Sequence, residues 1–285
     1  MKLKHPIIFL ILLLASCAPA PATVLSASST LTVEPASPTD SIPSTFTPLP
    51  PPAIVTPPNG SWQIQYAGNI NTDLNVDIYN LDLFDTDPAT IADLHARGIF
   101  VMCYFSAGSF EDWRPDIIDF PIEVLGKNYE GWPGEKWLDI RKMDLLAPIM
   151  SARLDLASQK ECDGVDPDNV HGFANDTGFP LTYEDQLQYN IWLAESAHAR
   201  GLSIGLKNDS EQIPDLLPYF DWQLHEECFE YGECELLLPF IEAGKPVFNI
   251  EYTLVPSDFC PQSNEMGLNS IRKNLKLDAF IEACK

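Results

Sequence analysis

Short apolar runs recur from residue 60 to the C-terminus, separated by stretches of mixed polarity. Eight have the length and composition of strands: Trp62–Tyr66, Val76–Leu81, Ile99–Phe105, Trp137–Ile140, Cys162–Asp166, Leu202–Leu206, Trp222–Glu226 and Val247–Tyr252. Helical spacing fills most of the gaps. Asp87-Pro88 reads as a cap followed by proline at the first helical position, opening a helix to Arg97 that Gly98 stops. Thr182 with Asp185 resembles a capping box and opens a helix to Arg200, before Gly201. Further helices are predicted over Leu145–Ser158, Glu235–Ala243 and Ser270–Ala283. The sequence His-Ala-Arg-Gly occurs at 95–98 and again at 198–201, each time between a helix and an apolar run. Both histidines read as surface groups near a helix C-terminus, where the dipole favours them.

Eight strands alternating with helices predict an α/β fold, a compact (β/α)8 TIM-type barrel. An open doubly wound sheet is the competing reading, but no glycine-rich phosphate loop follows an early strand. The predicted strands end in polar residues: Asp82, Ser106, Asp139, Asp166, Lys207, Glu226 and Glu251. Barrel enzymes gather their chemistry on that rim.

The first sixty residues have a different pattern. Lys2 and Lys4 precede an unbroken apolar run, Ile7–Leu14, which is too short to span a bilayer and has the shape of a secretory signal. Leu14-Ala15-Ser16-Cys17 resembles a bacterial lipoprotein signal, which makes 1–16 a signal peptide and Cys17 the lipidated residue. Residues 18–59 hold 11 Pro and 13 Ser or Thr and no Lys or Arg. Such a segment buries too little apolar surface to offset its ordering entropy, so 17–59 is expected to be a disordered linker and 60–285 the folded domain. These readings imply an extracytoplasmic protein held to a membrane by its N-terminal lipid alone, or secreted if Cys17 is unmodified.

The net charge of −24 comes from 41 Asp and Glu against 17 Lys and Arg. That balance argues against nucleic acid as a partner and favours a cationic one. A monomer is expected. Beyond Cys17, six cysteines remain. Cys228 and Cys234 flank a Tyr231-Gly232 turn and are predicted to pair; Cys260 and Cys284 are a second candidate pair. Cys103, inside an apolar run, is expected to be a buried free thiol. No CxxC or HExxH spacing is present, so neither metal nor cofactor is predicted.

Two carboxylate motifs carry the candidate chemistry. In Cys162-Asp163-Gly164-Val165-Asp166-Pro167-Asp168-Asn169, alternation turns Asp166 inward if Val165 packs against helices, and leaves Asp168 in the following loop. A calcium site or a structural turn are the alternatives, although the spacing does not fit a helix–loop–helix calcium loop. In His225-Glu226-Glu227-Cys228, Glu226 ends a strand. Two acids from facing strands are what glycosidic cleavage requires: one protonates the leaving oxygen, and the other attacks the anomeric carbon or activates water. Lys207 is placed near the acids. Asp82, Tyr104, Asp139, Asp168, His225 and Glu251 are substrate-binding candidates, and Trp113 and Trp132 offer aromatic faces in a long loop. No Ser-His-Asp or Cys-His arrangement is readable.

Several of these motifs, taken in order, resemble glycoside hydrolase family 114. They are Cys103-Tyr104-Phe105-Ser106-Ala107-Gly108, Asp163 to Asn169, Gly205-Leu206-Lys207-Asn208-Asp209, Glu226 to Cys234, and Phe248-Asn249-Ile250-Glu251-Tyr252. The resemblance implies a (β/α)8 endo-α-1,4-polygalactosaminidase acting on galactosamine-rich exopolysaccharide, with Asp166 and Glu226 matching the strand-tip acids. His225 stands where many members of that family carry Asn. Rival readings are a non-catalytic surface binder of amino-sugar polymer, a glycosidase for another α-glycan, and a zinc deacetylase.

Overall fold

The structure, a computed structural model, describes residues 53–285. The predicted signal peptide, the Cys17 lipidation site and most of the linker lie outside the described residues. In chain order the elements are β1 Trp62–Gln65, β2 Ile78–Asp82, α1 Pro88–Ala96, β3 Phe100–Ser106, β4 Ser109–Glu111, β5 Leu125–Asn128, β6 Glu135–Leu138, α2 Met143–Gln159, β7 Gly164–Asp168, α3 Tyr183–His198, β8 Ser203–Lys207, α4 Ile213–Leu216, β9 Trp222–Glu226, α5 Cys228–Tyr231, α6 Leu238–Glu242, β10 Val247–Glu251, α7 Pro256–Met266, β11 Asn269–Arg272 and β12 Glu282–Ala283.

Strands β1, β2, β3, β7, β8, β9, β10 and β11 run parallel in that order, and β12 adds antiparallel to β11. The two ends of this sheet meet. Trp62 Nε1 in β1 donates to the Asn269 carbonyl at 2.8 Å, Lys273 Nζ donates to Gln63 Oε1 at 2.8 Å, and the Tyr66 amide donates to the Leu277 carbonyl at 2.8 Å. The architecture is a (β/α)8 barrel.

Two apolar clusters follow from the two-residue alternation of the strands. One lies between the strands and the outer helices, with Tyr79, Leu81, Val101, Val165, Ile204, Leu206 and Val247 contributed by the sheet. The other fills the barrel, with Trp62, Ile64, Ile78, Phe100, Met102, Trp222, Leu224, Phe248, Ile250 and Ile271. Trp62 and Trp222 both pack on Phe248, with ring centroids 5.1 and 5.8 Å away. Gly205 makes room for this packing, since a Cβ there would lie 2.3 Å from the Trp222 ring.

The predicted caps are present. Asp87 accepts the Ala89 amide, and Thr182 and Asp185 bond reciprocally at the start of α3. Three expectations are corrected. The run at 137–140 is no barrel strand: β6 pairs with β4 and β5 in a separate antiparallel sheet inserted after β3. The eighth barrel strand is β11, which overlaps the start of the segment predicted as the last helix. The last helix is instead α7, just before that strand, with Pro256 at its first turn and a stop at Gly267, φ 82°. Cys103 is not free. It bonds Cys162, because the outward-facing position on β3 meets the residues leading into β7. The Cys228–Cys234 and Cys260–Cys284 disulfides form as predicted.

Candidate active site

On β7, β8 and β9 the inward positions near the C-terminal ends are polar, whereas β10 stays apolar up to Ile250, which lies level with Glu226. Asp166 and Asp168 on β7, Lys207 on β8 and Glu226 on β9 share the inward phase, in the fourth, fifth and sixth strands of the barrel. A cavity of 240 Å³ opens above them, lined in part by Glu111, Glu135, Asp168, Lys207, Glu226 and Tyr252, with Trp113 and Trp132 on the inserted side. A second, of 530 Å³, lies beside it and shares Tyr129, Asn208, Glu226 and Glu227.

Lys207 is 1% exposed and lies between two acids, its Nζ 3.2 Å from Asp168 Oδ2 and 3.4 Å from Glu226 Oε2. The two carboxylate oxygens are therefore no farther apart than these distances laid end to end. Burial pushes Lys207 down, but Asp168, Glu226 and Asp166 outweigh it and hold it charged, above the ordinary lysine range. Glu226 is held from three sides. Its Oε1 accepts the Tyr252 hydroxyl at 2.5 Å, and its Oε2 accepts Asn208 Nδ2 at 3.2 Å. The Glu226 amide donates to Asn208 Oδ1 at 3.0 Å. Burial pushes the Glu226 carboxyl up, yet Lys207 and these hydrogen bonds prevail and leave it below the usual carboxylate range.

Asp166 sits one layer lower. It has no exposed surface and lines neither cavity. Its Oδ2 accepts Asn80 Nδ2 at 2.8 Å and the Tyr66 hydroxyl at 3.2 Å, while Oδ1 has no partner. Burial raises it to about 6, against the pull of Lys207 and with the push of Asp168. Asp168 belongs to the strand rather than to the loop, and it is the β7 acid that reaches the cavity. The phase explains both placements: two residues farther along the strand keep the same face and rise one layer.

The other candidates divide. Tyr104 stacks on Tyr66, with centroids 4.3 Å apart, and lies under Lys207 Nζ at 6.0 Å. His225 has the opposite phase to Glu226 and faces the second cavity. Asp82, Asp139 and Glu251 line neither cavity, contrary to expectation. Asp82 is taken up by Arg114, which bonds it at 2.9 Å and Glu111 at 2.7 Å and so ties the inserted sheet to the barrel. Asp139 pairs with Arg141 at 2.7 Å. Glu251 shares the outward phase of Val247 and accepts the Phe229 amide at 2.9 Å. Asp163, off the inward phase, accepts the Val101 amide and His95.

Residues missed in the sequence include Glu135 and Asn208. Glu135 comes from the inserted β6 and accepts Ser109 Oγ and Asn169 Nδ2; burial raises its carboxyl to about 7, helped by Asp168 and Glu111. The signal for Asn208 lies in the backbone. Asn169, Asn208 and Glu227, with φ of 63°, 53° and 59°, each follow a strand-tip group and turn the chain in the left-handed region, and Asp209 after Asn208 continues the turn at φ 40°. Such residues cost of order 1–3 kcal/mol each and gather at functional sites. The turn at Asn169 also brings its carbonyl so close to Gly108 that a Cβ there would lie 1.7 Å away.

The chain has known relatives. The model of glycoside-hydrolase family GH114 matches residues 44–285. The chain is similar to Ega3 of Aspergillus fumigatus, solved in complex with galactosamine, at 40% identity and a TM-score of 0.76, covering 85% of this chain and 100% of that one. It shares its fold with the glycoside hydrolase domain of PelA from Pseudomonas aeruginosa, at 16% identity and a TM-score of 0.62, covering 78% of this chain and 98% of that domain. An uncharacterised protein of Deinococcus radiodurans is 26% identical over 250 residues, which span 73% of this chain and 80% of the relative. With a strand-tip pair of acids at the mouth of a barrel and a family match over nearly all of the folded part, this chain belongs to glycoside-hydrolase family GH114 and is a glycosidase.

Proposed function

We propose that the chain cleaves α-1,4 bonds within galactosamine-rich polysaccharide, using Asp168 and Glu226. The observation that carries the pair is the single ammonium of Lys207, within 3.4 Å of both acids at the cavity wall. One carboxyl gives its proton to the glycosidic oxygen as the bond to the anomeric carbon breaks. The other attacks that carbon or takes a proton from the water that does. Lys207 balances whichever member of the pair is charged. Galactosamine bound in the crystal of a relative at 40% identity, and a cleft with many carboxylates and few cations, support an amino-sugar polymer as substrate. The continuation of the cleft past Glu226 into a second cavity supports attack within a chain rather than at its end.

Asp166 is replaced in this reading by Asp168, because a group with no exposed surface cannot touch a sugar. Asp166 instead supports the layer above it. Reducing-end release from partly deacetylated galactosaminogalactan tests the assignment. Asp168→Asn and Glu226→Gln should be inactive while folded, and Asp166→Asn should retain turnover; the opposite ranking of the two aspartates would restore Asp166 to the pair. A wild-type protein that binds the polymer without releasing reducing ends would make it a surface binder. We also propose an extracytoplasmic, lipid-anchored protein. Three disulfides support export, and loss of lipid labelling in Cys17→Ser tests the anchor.

A further inference from the structure

Helix α3 packs against β8, and its buried face changes character along its length. Leu193, Ala194 and Ala197, in its second half, are the apolar residues expected of a barrel helix. The half that follows the β7 tip buries Gln186, Tyr189 and Asn190 instead, all with no exposed surface. Buried polar groups are costly unless they are bonded, and the bonds of these three lead to the strand tips. The Tyr189 hydroxyl donates to the Ala107 carbonyl at 2.7 Å, just past β3. The Ala107 amide in turn donates to the Asp168 carbonyl at 2.9 Å. Asn190 has two N–H donors on one nitrogen and divides them. Its Nδ2 donates to the Val170 carbonyl at 2.9 Å and to Asp209 Oδ2 at 2.8 Å. Gln186 Nε2 donates to Asn190 Oδ1 at 2.9 Å and so fixes which way the amide faces.

The two acceptors belong to different turns. Val170 follows Asn169, whose backbone amide donates to Asp168 Oδ1 at 2.7 Å. Asp209 follows Lys207 and Asn208, the residues that hold Glu226. Asn208 and Asp209 are two successive non-glycine residues in the left-handed region, and such residues persist only where their surroundings over-determine them. One planar amide bonded to both turns sets the distance between them. That distance is also the spacing of Asp168 from Lys207 and Glu226. Resting on the proposed pair of acids, we infer that Asn190 is a positioning residue: through Val170 and Asp209 it holds the β7 and β8 tips, and with them Asp168 and Glu226, at the separation that hydrolysis needs.

Asn190→Leu keeps the branched shape of the side chain and removes both donors. Its kcat should fall roughly tenfold to a hundredfold with KM nearly unchanged, because the groups that touch the sugar remain and only their spacing is lost. Leu193→Ala, one turn further along the same helix, loosens its packing without touching either turn and should keep the wild-type kcat. Wild-type kcat in Asn190→Leu, or an equal loss in Leu193→Ala, overturns the inference. Where Asn190→Leu does not fold, Asp209 decides. Burial pushes its carboxyl up to about 9, so it is neutral at pH 7 and asparagine copies it. Asp209→Gly suits the left-handed backbone but deletes the acceptor. Asp209→Asn should keep the wild-type kcat and Asp209→Gly should lose it; equal rates in the two overturn the inference. A further measurement is independent of hydrolysis: hydrogen exchange read by mass spectrometry. Asn190→Leu should speed exchange over both 168–171 and 207–210, and Asp209→Gly should speed it over 207–210 relative to Asp209→Asn. Unchanged exchange over these segments overturns the link between the turns. Absence of any cleavage by the wild type would count against the proposed function, and the exchange rates would still decide whether Asn190 joins the two tips.

Discussion

The lower and upper halves of the barrel interior are built on the same strands and do opposite things. On β9 the inward residues are Trp222, Leu224 and then Glu226. On β8, Gly205 yields to Trp222, and two residues later Lys207 bridges two acids. In the lower half the neighbours are hydrocarbon, and the contribution is packing. In the upper half each buried charge is retained by named partners: Asn80 and Tyr66 for Asp166, and Tyr252, Asn208 and Lys207 for Glu226. The lesson is that a step of two residues along a strand crosses from stability to chemistry without a change of face.

The sharpest way to break this comparison is to exchange one group in each half. Glu226→Gln keeps the size of the side chain and removes the charge. Turnover should fall on the order of 10⁴-fold, equivalent to ~5.5 kcal/mol of barrier, with the thermal midpoint little changed. Asp168→Asn should behave alike. Trp222→Ala, two layers below, should do the reverse. It should lower unfolding free energy by about 3–5 kcal/mol in urea melts, and protein that remains folded should still turn over. A loss of activity without loss of stability in Trp222→Ala would mean that the two halves are not separable.

The division also explains what could be read from the sequence. Alternation and caps reveal seven of the barrel strands and the inward phase of Asp166 and Glu226. They do not reveal depth. Asp166 and Asp168 share one face, and only the three-dimensional stagger of the barrel tells which reaches the mouth. Nor does a short apolar run disclose its partner: Trp137–Ile140 has the pattern of a barrel strand, but β6 pairs with β4 and β5. Glu135 escaped for that reason, since it reaches the cavity from an insertion and not from the rim. Polar ends at Asp82 and Glu251 read as chemistry, although Arg114 and the Phe229 amide had claimed them. Cys103 was invisible as a disulfide because its partner lies 59 residues away.

A smaller effect follows from Asp166. Burial raises its folded-state pKa to about 6, above the ordinary 3.8 of the unfolded chain. The folded protein therefore binds this proton more tightly than the unfolded one. The stability linked to it is fully present below pH 3.8 and is lost as pH rises through about 6. Asp166→Asn removes the titration. Its stability should exceed or match that of the wild type above pH 6 and lose that advantage toward pH 4, by roughly 1–3 kcal/mol across the window. Parallel stability curves for the two proteins from pH 4 to 7 would mean that Asp166 is not held in a desolvated layer.

The smallest expected effect distinguishes the inserted wall from the rim. Glu135 lines the first cavity and titrates at about 7, chiefly because it is buried and secondly because Asp168 and Glu111 are close. As pH rises through 7 it adds a negative charge beside a cationic sugar. The wild-type KM for deacetylated polymer should therefore fall across that range, by less than tenfold, while kcat stays nearly level. Glu135→Gln should lose this limb. The amines of the substrate titrate identically for both proteins, so the ratio of the two KM values at each pH isolates the carboxyl. A constant ratio from pH 6 to 8 would remove Glu135 from substrate binding and leave it as an anchor for Ser109 and Asn169. A change carried by kcat instead would move it from the wall into the proton inventory of the reaction, and the separation between insertion and rim would no longer hold.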